Sequence, residues 1–242
     1  MDSIPDADVG SWLCSLLDTT WRDMHVVVPH GFEAYARVFH PAYRDRPADT
    51  GSWHGQERPV YVDIEQESVS WAEVARAFGA TMHPLAQYQE LPGPENGPYR
   101  EVLDAAGWRY AAPVQGNLDV EVLASLAKQL CRHTATPDRG VAAVWEGWGG
   151  LTSSAGYSQP TFVEGVAAAG PGTFALDAPW HHDPWWPQSP SLLWPEDRSW
   201  VLVTEVDFDS TIIAGSSALV AALVSDSGIE ALRIDEGSRL SI

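Results

Sequence analysis

Lysine is nearly missing from this chain: Lys128 is the single one in 242 residues, so almost every positive charge is an arginine. A mechanism that needs a lysine nucleophile or a phosphate-gripping lysine has one position to use. The glycine of Gly215-Ser216-Ser217 is followed by serine, which excludes a Walker-type loop. Cysteine is equally scarce. Cys14 and Cys131 are too few for a disulfide framework and lack metal-type spacing, so two reduced thiols are expected. No apolar run approaches ~20 residues, and Met1–Asp8 is acidic where a secretory signal would be basic and then apolar. These absences predict a soluble, cytoplasmic protein with no membrane segment. Bases are the minority throughout: residues 1–120 carry 18 acids and 8 bases, residues 121–242 carry 15 and 6. Neither half offers a phosphate-tracking surface, so a nucleic-acid partner is not expected. No Gly-x-Ser-x-Gly elbow occurs; Ser153 and Ser154 before Gly156 fall short of one.

What is present is an acidic, tryptophan-rich globular chain, with a formal charge of −19, 45% apolar residues and 12 Trp. Helical spacing or caps mark Val9–Leu17, the capping box Ser70-Trp-Ala-Glu73 with Gly79 as its stop, a segment from Asp119 (Val120, Leu123, Leu126, Ala127, Leu130), and a segment from Ser216 or Ser217 (Leu219, Val220, Leu223, Val224) with Gly228 beyond its end. Strand-like runs are Met24–Val28, Glu33–Phe39, Val60–Ile64, Val141–Trp145, Thr161–Val166, Trp200–Phe208 and Glu230–Ile234. The expectation is an α+β fold with a mixed, mainly antiparallel sheet and about four helices. One domain over 1–242 accommodates it, and Leu91-Pro-Gly-Pro-Glu-Asn-Gly-Pro98 is the breaker at which two lobes would part.

Strand alternation through Trp200–Asp209 predicts Glu205, Asp207 and Asp209 on one face, a set of oxygen ligands suited to a hard divalent cation. A solvated strand face would show the same alternation. Asp207-Phe-Asp-Ser-Thr211 resembles the first motif of haloacid-dehalogenase-type phosphatases, Asp-x-Asp-x-Thr. The resemblance implies Asp207 as nucleophile and Asp209 as general acid. That motif normally opens a Rossmann-like domain, whereas 33 residues, none a lysine, follow Asp209 here. The segments Trp194-Pro-Glu-Asp-Arg-Ser-Trp200, Thr204–Thr211 with Gly215-Ser216, and Phe32–Pro41 are similar to stretches of uncharacterised bacterial proteins. That resemblance implies a bacterial family and brings no activity.

Between Arg139 and Arg198 there is no Lys or Arg, yet Trp145, Trp148, Trp180, Trp185, Trp186 and Trp194 lie there. The faces of Trp180, Trp185, Trp186 and Trp194 are the candidate binding residues for a cation, since a tryptophan face attracts positive charge. Packing in the core is the competing use. His181, His182 and Asp183 lie in a proline-rich stretch without the ligand spacing of known metal sites. The functional expectation is a non-catalytic protein that recognises a basic protein or cationic ligand, as an immunity or antitoxin-like protein would, with no cofactor. The alternative is a metal-dependent hydrolase or phosphatase that holds a divalent metal on Glu205, Asp207 and Asp209.

Overall fold

The structure is a computed structural model that describes residues 2–4, 7–55, 63–93, 102–144, 162–164 and 189–240. In chain order its strands are β1 (Asp2–Ile4), β2 (Ala34–Phe39), β3 (Ala42–Pro47), β4 (Ile64–Val69), β5 (Val102–Leu103), β6 (Arg109–Ala111), β7 (Gly140–Ala143), β8 (Phe162–Glu164), β9 (Leu192–Pro195), β10 (Val201–Val203), β11 (Ser210–Gly215) and β12 (Ala231–Ile234). Its helices are α1 (Ser11–Cys14), α2 (Trp71–Phe78), α3 (Val120–Arg132) and α4 (Ser217–Ser225). The α+β class with mainly antiparallel pairing is as the sequence predicts. The chain divides into two compact units, one of residues 1–38 and 115–242, the other of residues 39–114. Among the described residues no helix is long and apolar enough to cross a membrane.

The first unit is built on an eight-stranded sheet of order β1-β8-β7-β9-β10-β11-β2-β12. Successive side chains of a strand point to opposite faces, and here both faces are apolar. Ala34, Ala36, Val38, Ala142, Leu193, Leu202 and Ile213 share one cluster with Leu123, Leu126 and Leu130 of α3 and Leu219, Val220 and Leu223 of α4. Their sequence neighbours Tyr35, Val141, Ala143, Trp194, Val201, Val203, Ile212 and Ala214 join Leu13, Met24 and Val28 in a second cluster. A sheet covered on both faces favours near-continuous apolar strands, and β2, β10 and β11 are buried at every position, with Arg37, Ser210 and Thr211 as buried polar exceptions.

Helices α2, α3 and α4 start where a side chain satisfies orphan amides, whereas α1 follows Gly10 and has no such cap. Asp119 Oδ1 accepts from the Glu121 amide at 2.9 Å, and Ser216 Oγ from the Leu219 amide at 3.1 Å. In the second unit Ser70 and Glu73 close the expected capping box, at 3.2 and 3.0 Å. Gly79, at φ +72°, ends α2 in the left-handed conformation that only glycine adopts without strain. Trp71 of α2 is fully buried between Phe39 and Tyr88, and its indole N–H donates to the His40 carbonyl at 2.9 Å. The second sheet has the order β4-β3-β6-β5.

The structure corrects several expected elements. Met24–Val28 is not a strand; Met24–Val26 forms a 3-10 turn whose first amides are claimed by Asp23, which accepts from the His25 amide at 2.9 Å. The predicted strand Trp200–Phe208 ends at Val203, and the chain reverses through 204–209 into β11, so the alternation behind the carboxylate face stops before Glu205. Val224, expected on the packed face of α4, is exposed. The part of the expected strand Val60–Ile64 before Asp63, and the breaker from Pro94 to Pro98, lie outside the described residues.

Candidate functional site

Glu205, Asp207 and Asp209 are placed in three different roles. Glu205 Oε2 accepts from the Asp207 amide at 2.7 Å and so pins the reversal between β10 and β11. Asp207 is exposed at the tip of that reversal. Asp209 turns inward to Arg37 of β2, whose Nη2 approaches Asp209 Oδ1 at 3.3 Å and whose Nε donates to Ser210 Oγ at 2.8 Å. The Arg37 side chain is 2% exposed. Burial pushes the Asp209 carboxyl above the usual carboxylate range although the Arg37 charge pulls the other way, and burial likewise lowers Arg37 against the pull of Asp209. The three acids do not form a set of converging ligands: among the described residues, the group of three that could hold a metal ion lies elsewhere.

Of the tryptophans expected to bind a cation, Trp180, Trp185 and Trp186 lie outside the described residues, as do His181, His182 and Asp183. Trp194 is described and is buried in the second core cluster. It packs edge-on against Trp12, with ring centroids 6.0 Å apart, and Arg198 lies over the Trp12 ring at 4.7 Å. With Leu13, Leu17, Val27 and Leu192, Trp194 walls an apolar cleft of about 350 Å³ in the first unit. Tryptophan faces elsewhere already carry the protein's own arginines: Arg46 and Arg44 over Trp108 at 4.0 and 4.6 Å, and Arg109 over Trp53 at 4.4 Å. Between these arginines Asp45 accepts from Arg109 at 2.6 Å and from the Trp53 indole at 2.8 Å. Burial opposes the charge of Asp45, but these hydrogen bonds and the Arg109 charge outweigh it and hold the carboxyl below its usual range.

The converging group is His25, His30 and Glu236, whose ligand atoms all lie within 4.8 Å of one another. His25 sits on the 3-10 turn, His30 on the following loop, and Glu236 on the turn after β12. Backbone hydrogen bonds tie these segments together: Asp18 N–H to His25 O at 2.8 Å, His30 N–H to Leu16 O at 2.8 Å, and Met24 N–H to Ser238 O at 3.0 Å. His25 Nδ1 donates to the Val28 carbonyl at 2.9 Å, and His30 Nε2 meets Asp18 Oδ1 at 3.1 Å. Each ring thereby has one nitrogen committed and presents the other to Glu236 Oε1, His25 Nε2 at 3.8 Å and His30 Nδ1 at 3.6 Å. The rings are stacked, with centroids 3.5 Å apart and planes 21° apart. His25 is 2% exposed and its Nε2 is buried without a hydrogen-bond partner, whereas His30 at 41% and Glu236 at 58% open the group to solvent. The proximity of His25 and His30 in sequence was the local signal for this group. Glu236 enters only through the fold, and no spacing announced it.

Compared with protein-family models, curated proteins and solved structures, the chain matches none.

Proposed function

We propose that the chain is a non-catalytic cytoplasmic binding protein whose acidic surface engages a basic protein or cationic ligand, in the manner of an immunity or antitoxin-like protein, and not nucleic acid. The observation that carries this reading is the charge surplus. There are 33 Asp and Glu against 14 Lys and Arg, so one-to-one pairing leaves at least 19 carboxylates (33 − 14) without a Lys or Arg partner. Several of the bases are already paired with the protein's own acids: Arg37 with Asp209, Arg44 with Glu67, Arg46 with Glu65, Arg109 with Asp45, Arg139 with Glu196. A surface of one sign attracts partners of the other sign over distances set by the Debye length and raises their association rate.

The test is capture of a partner from the source cell's lysate, followed by titration of the purified partner at low and high ionic strength. The expected partner is basic, and its association rate falls steeply as salt screens exposed charges over ~8 Å or less. An acidic partner, or one whose association is indifferent to salt, overturns the reading.

A further inference from the structure

We propose that His25, His30 and Glu236 form a binding site for a divalent first-row transition metal of the zinc class. His25 Nε2, His30 Nδ1 and Glu236 Oε1 converge here, and the first of them is buried without a hydrogen-bond partner. A neutral imidazole that donates from one nitrogen presents a lone pair on the other. Val28 O can only accept, so Nδ1 of His25 carries a proton, and in the neutral ring the buried Nε2 offers a lone pair. Asp18 takes the same part for His30, leaving Nδ1 as the lone pair. Both nitrogens lie near the same carboxylate oxygen, at distances of 3.8 and 3.6 Å that are too long for hydrogen bonds. A buried acceptor left without a donor is costly, and a cation held between His25 Nε2 and its two neighbours removes the cost.

The dimensions suit coordination. Ligands at about 2.0–2.1 Å from zinc, at a tetrahedral angle, stand about 3.3 Å apart, so each nitrogen closes on the Glu236 oxygen by a few tenths of an ångström. The near-parallel rings cannot both aim in-plane lone pairs at one ion as they stand. His30 therefore turns out of the stack, a movement open to a side chain that is 41% exposed, while buried His25 stays fixed. His25 keeps the Val28 oxygen on its far nitrogen, and Asp18 stands beside His30 to take the same part, the outer arrangement that fixes tautomer and ring orientation around bound metals. Two imidazoles and one carboxylate favour zinc, copper, nickel or iron over magnesium and calcium, which take oxygen ligands. Three protein ligands leave a position open to water, and the exposed side at His30 and Glu236 gives the ion its way in. Metal binding here is independent of the acidic-surface function.

The experiment is calorimetric titration of the metal-free full chain with Zn²⁺, alongside Co²⁺, whose visible absorption reports coordination number. The wild type is expected to bind one equivalent, with a Co²⁺ spectrum of four-coordinate intensity. Buried His25 is left in place. His30→Ala and Glu236→Gln, both at exposed side chains, should keep the wild-type circular dichroism and weaken binding by more than about tenfold, the loss that removing even an outer partner of a metal ligand causes. His83→Ala, at an exposed histidine remote in sequence, should bind as the wild type does. Absence of saturable binding by the wild type, or unchanged affinity in both His30→Ala and Glu236→Gln, overturns the proposal.

Discussion

Replacing Asp209 by Asn keeps the shape of the side chain and deletes its charge, while the Arg37 side chain stays 2% exposed and keeps its hydrogen bond to Ser210 Oγ. Breaking a buried pair by removing one partner costs about 3–5 kcal/mol, because the surviving charge stays desolvated. Asp209 is itself 20% exposed, so water reaches part of the gap and the lower end, about 3 kcal/mol, is the expected loss. With a urea slope of ~3 kcal/mol per molar, that moves the unfolding midpoint down by about 1 M, read by tryptophan fluorescence. Removing both partners behaves differently. In Arg37→Met with Asp209→Ala the buried pair is gone altogether, and such replacements are neutral or stabilising where burial costs the ions more than they gain from each other. The raised Asp209 carboxyl and lowered Arg37 express that balance. The double variant should therefore be at least as stable as Asp209→Asn, a departure from additivity of more than about 1 kcal/mol. If Asp209→Asn lies within about 0.5 kcal/mol of the wild type, or the single losses simply add, Asp209 is not the partner of a desolvated arginine and the structural role assigned to it fails.

Leu223 of α4 is fully buried among Leu126, Trp200 and Ile213, so Leu223→Ala should cost about 2–5 kcal/mol, while Val224→Ala on the exposed side should stay within about 0.5 kcal/mol; equal losses would refute the assigned face. Asp226 is unsuited as that control, because its carboxylate accepts from Gln129 at 2.6 Å and from the Gly228 amide at 3.0 Å. Asp45 has a folded-state pKa below its unfolded value, so its contribution is present above about pH 4 and lost as pH falls through the folded value; Asp45→Asn should flatten the acid limb of an unfolding-versus-pH series, and an unchanged limb would refute the assignment. Mg²⁺ should leave the melting temperature of the wild type unchanged, since Glu205, Asp207 and Asp209 do not converge; a rise abolished by Asp207→Asn would show that they do.

Helix starts were legible because their chemistry is local. Ser70 with Glu73, Asp119, and Ser216 each supply a side-chain oxygen to amides two or three residues on, and sequence displays that relation directly. Strand ends were not. Val201-Leu-Val203 and Thr211-Ile-Ile-Ala214 belong to two antiparallel strands whose registers pair Val201 with Ala214 and Val203 with Ile212. The reversal between them uses the carboxylates of Glu205 and Asp209, so acids that read as a functional face are the residues that make the turn and neutralise a buried arginine. Strand β9 was missed for another reason. Leu192-Leu-Trp-Pro195 pairs on one side with β7 and on the other with β10, and its proline falls at the β7 end, opposite Gly140, beyond the stretch paired with β10.

The imidazole–carboxylate group shows most sharply where reading a sequence stops. A strand from Met24 to Val28 would have set His25 and Val28 on opposite faces, and the Nδ1 contact to Val28 O would not form. The 3-10 turn exists because Asp23 claims the His25 amide, and β12 then delivers Glu236 through its antiparallel pairing with β2, Ile234 opposite Tyr35. Tyr35 in turn donates its hydroxyl to Pro29 O at 3.2 Å and stands edge-on to the His25 ring at 5.7 Å, which fixes the loop between the two histidines. The rings are thus held by a cap, a sheet register and a tyrosine, each with a structural reason to be there. What none of those reasons accounts for is the buried His25 Nε2, which has no hydrogen-bond partner among the described residues, and the proposed metal ion would give it one.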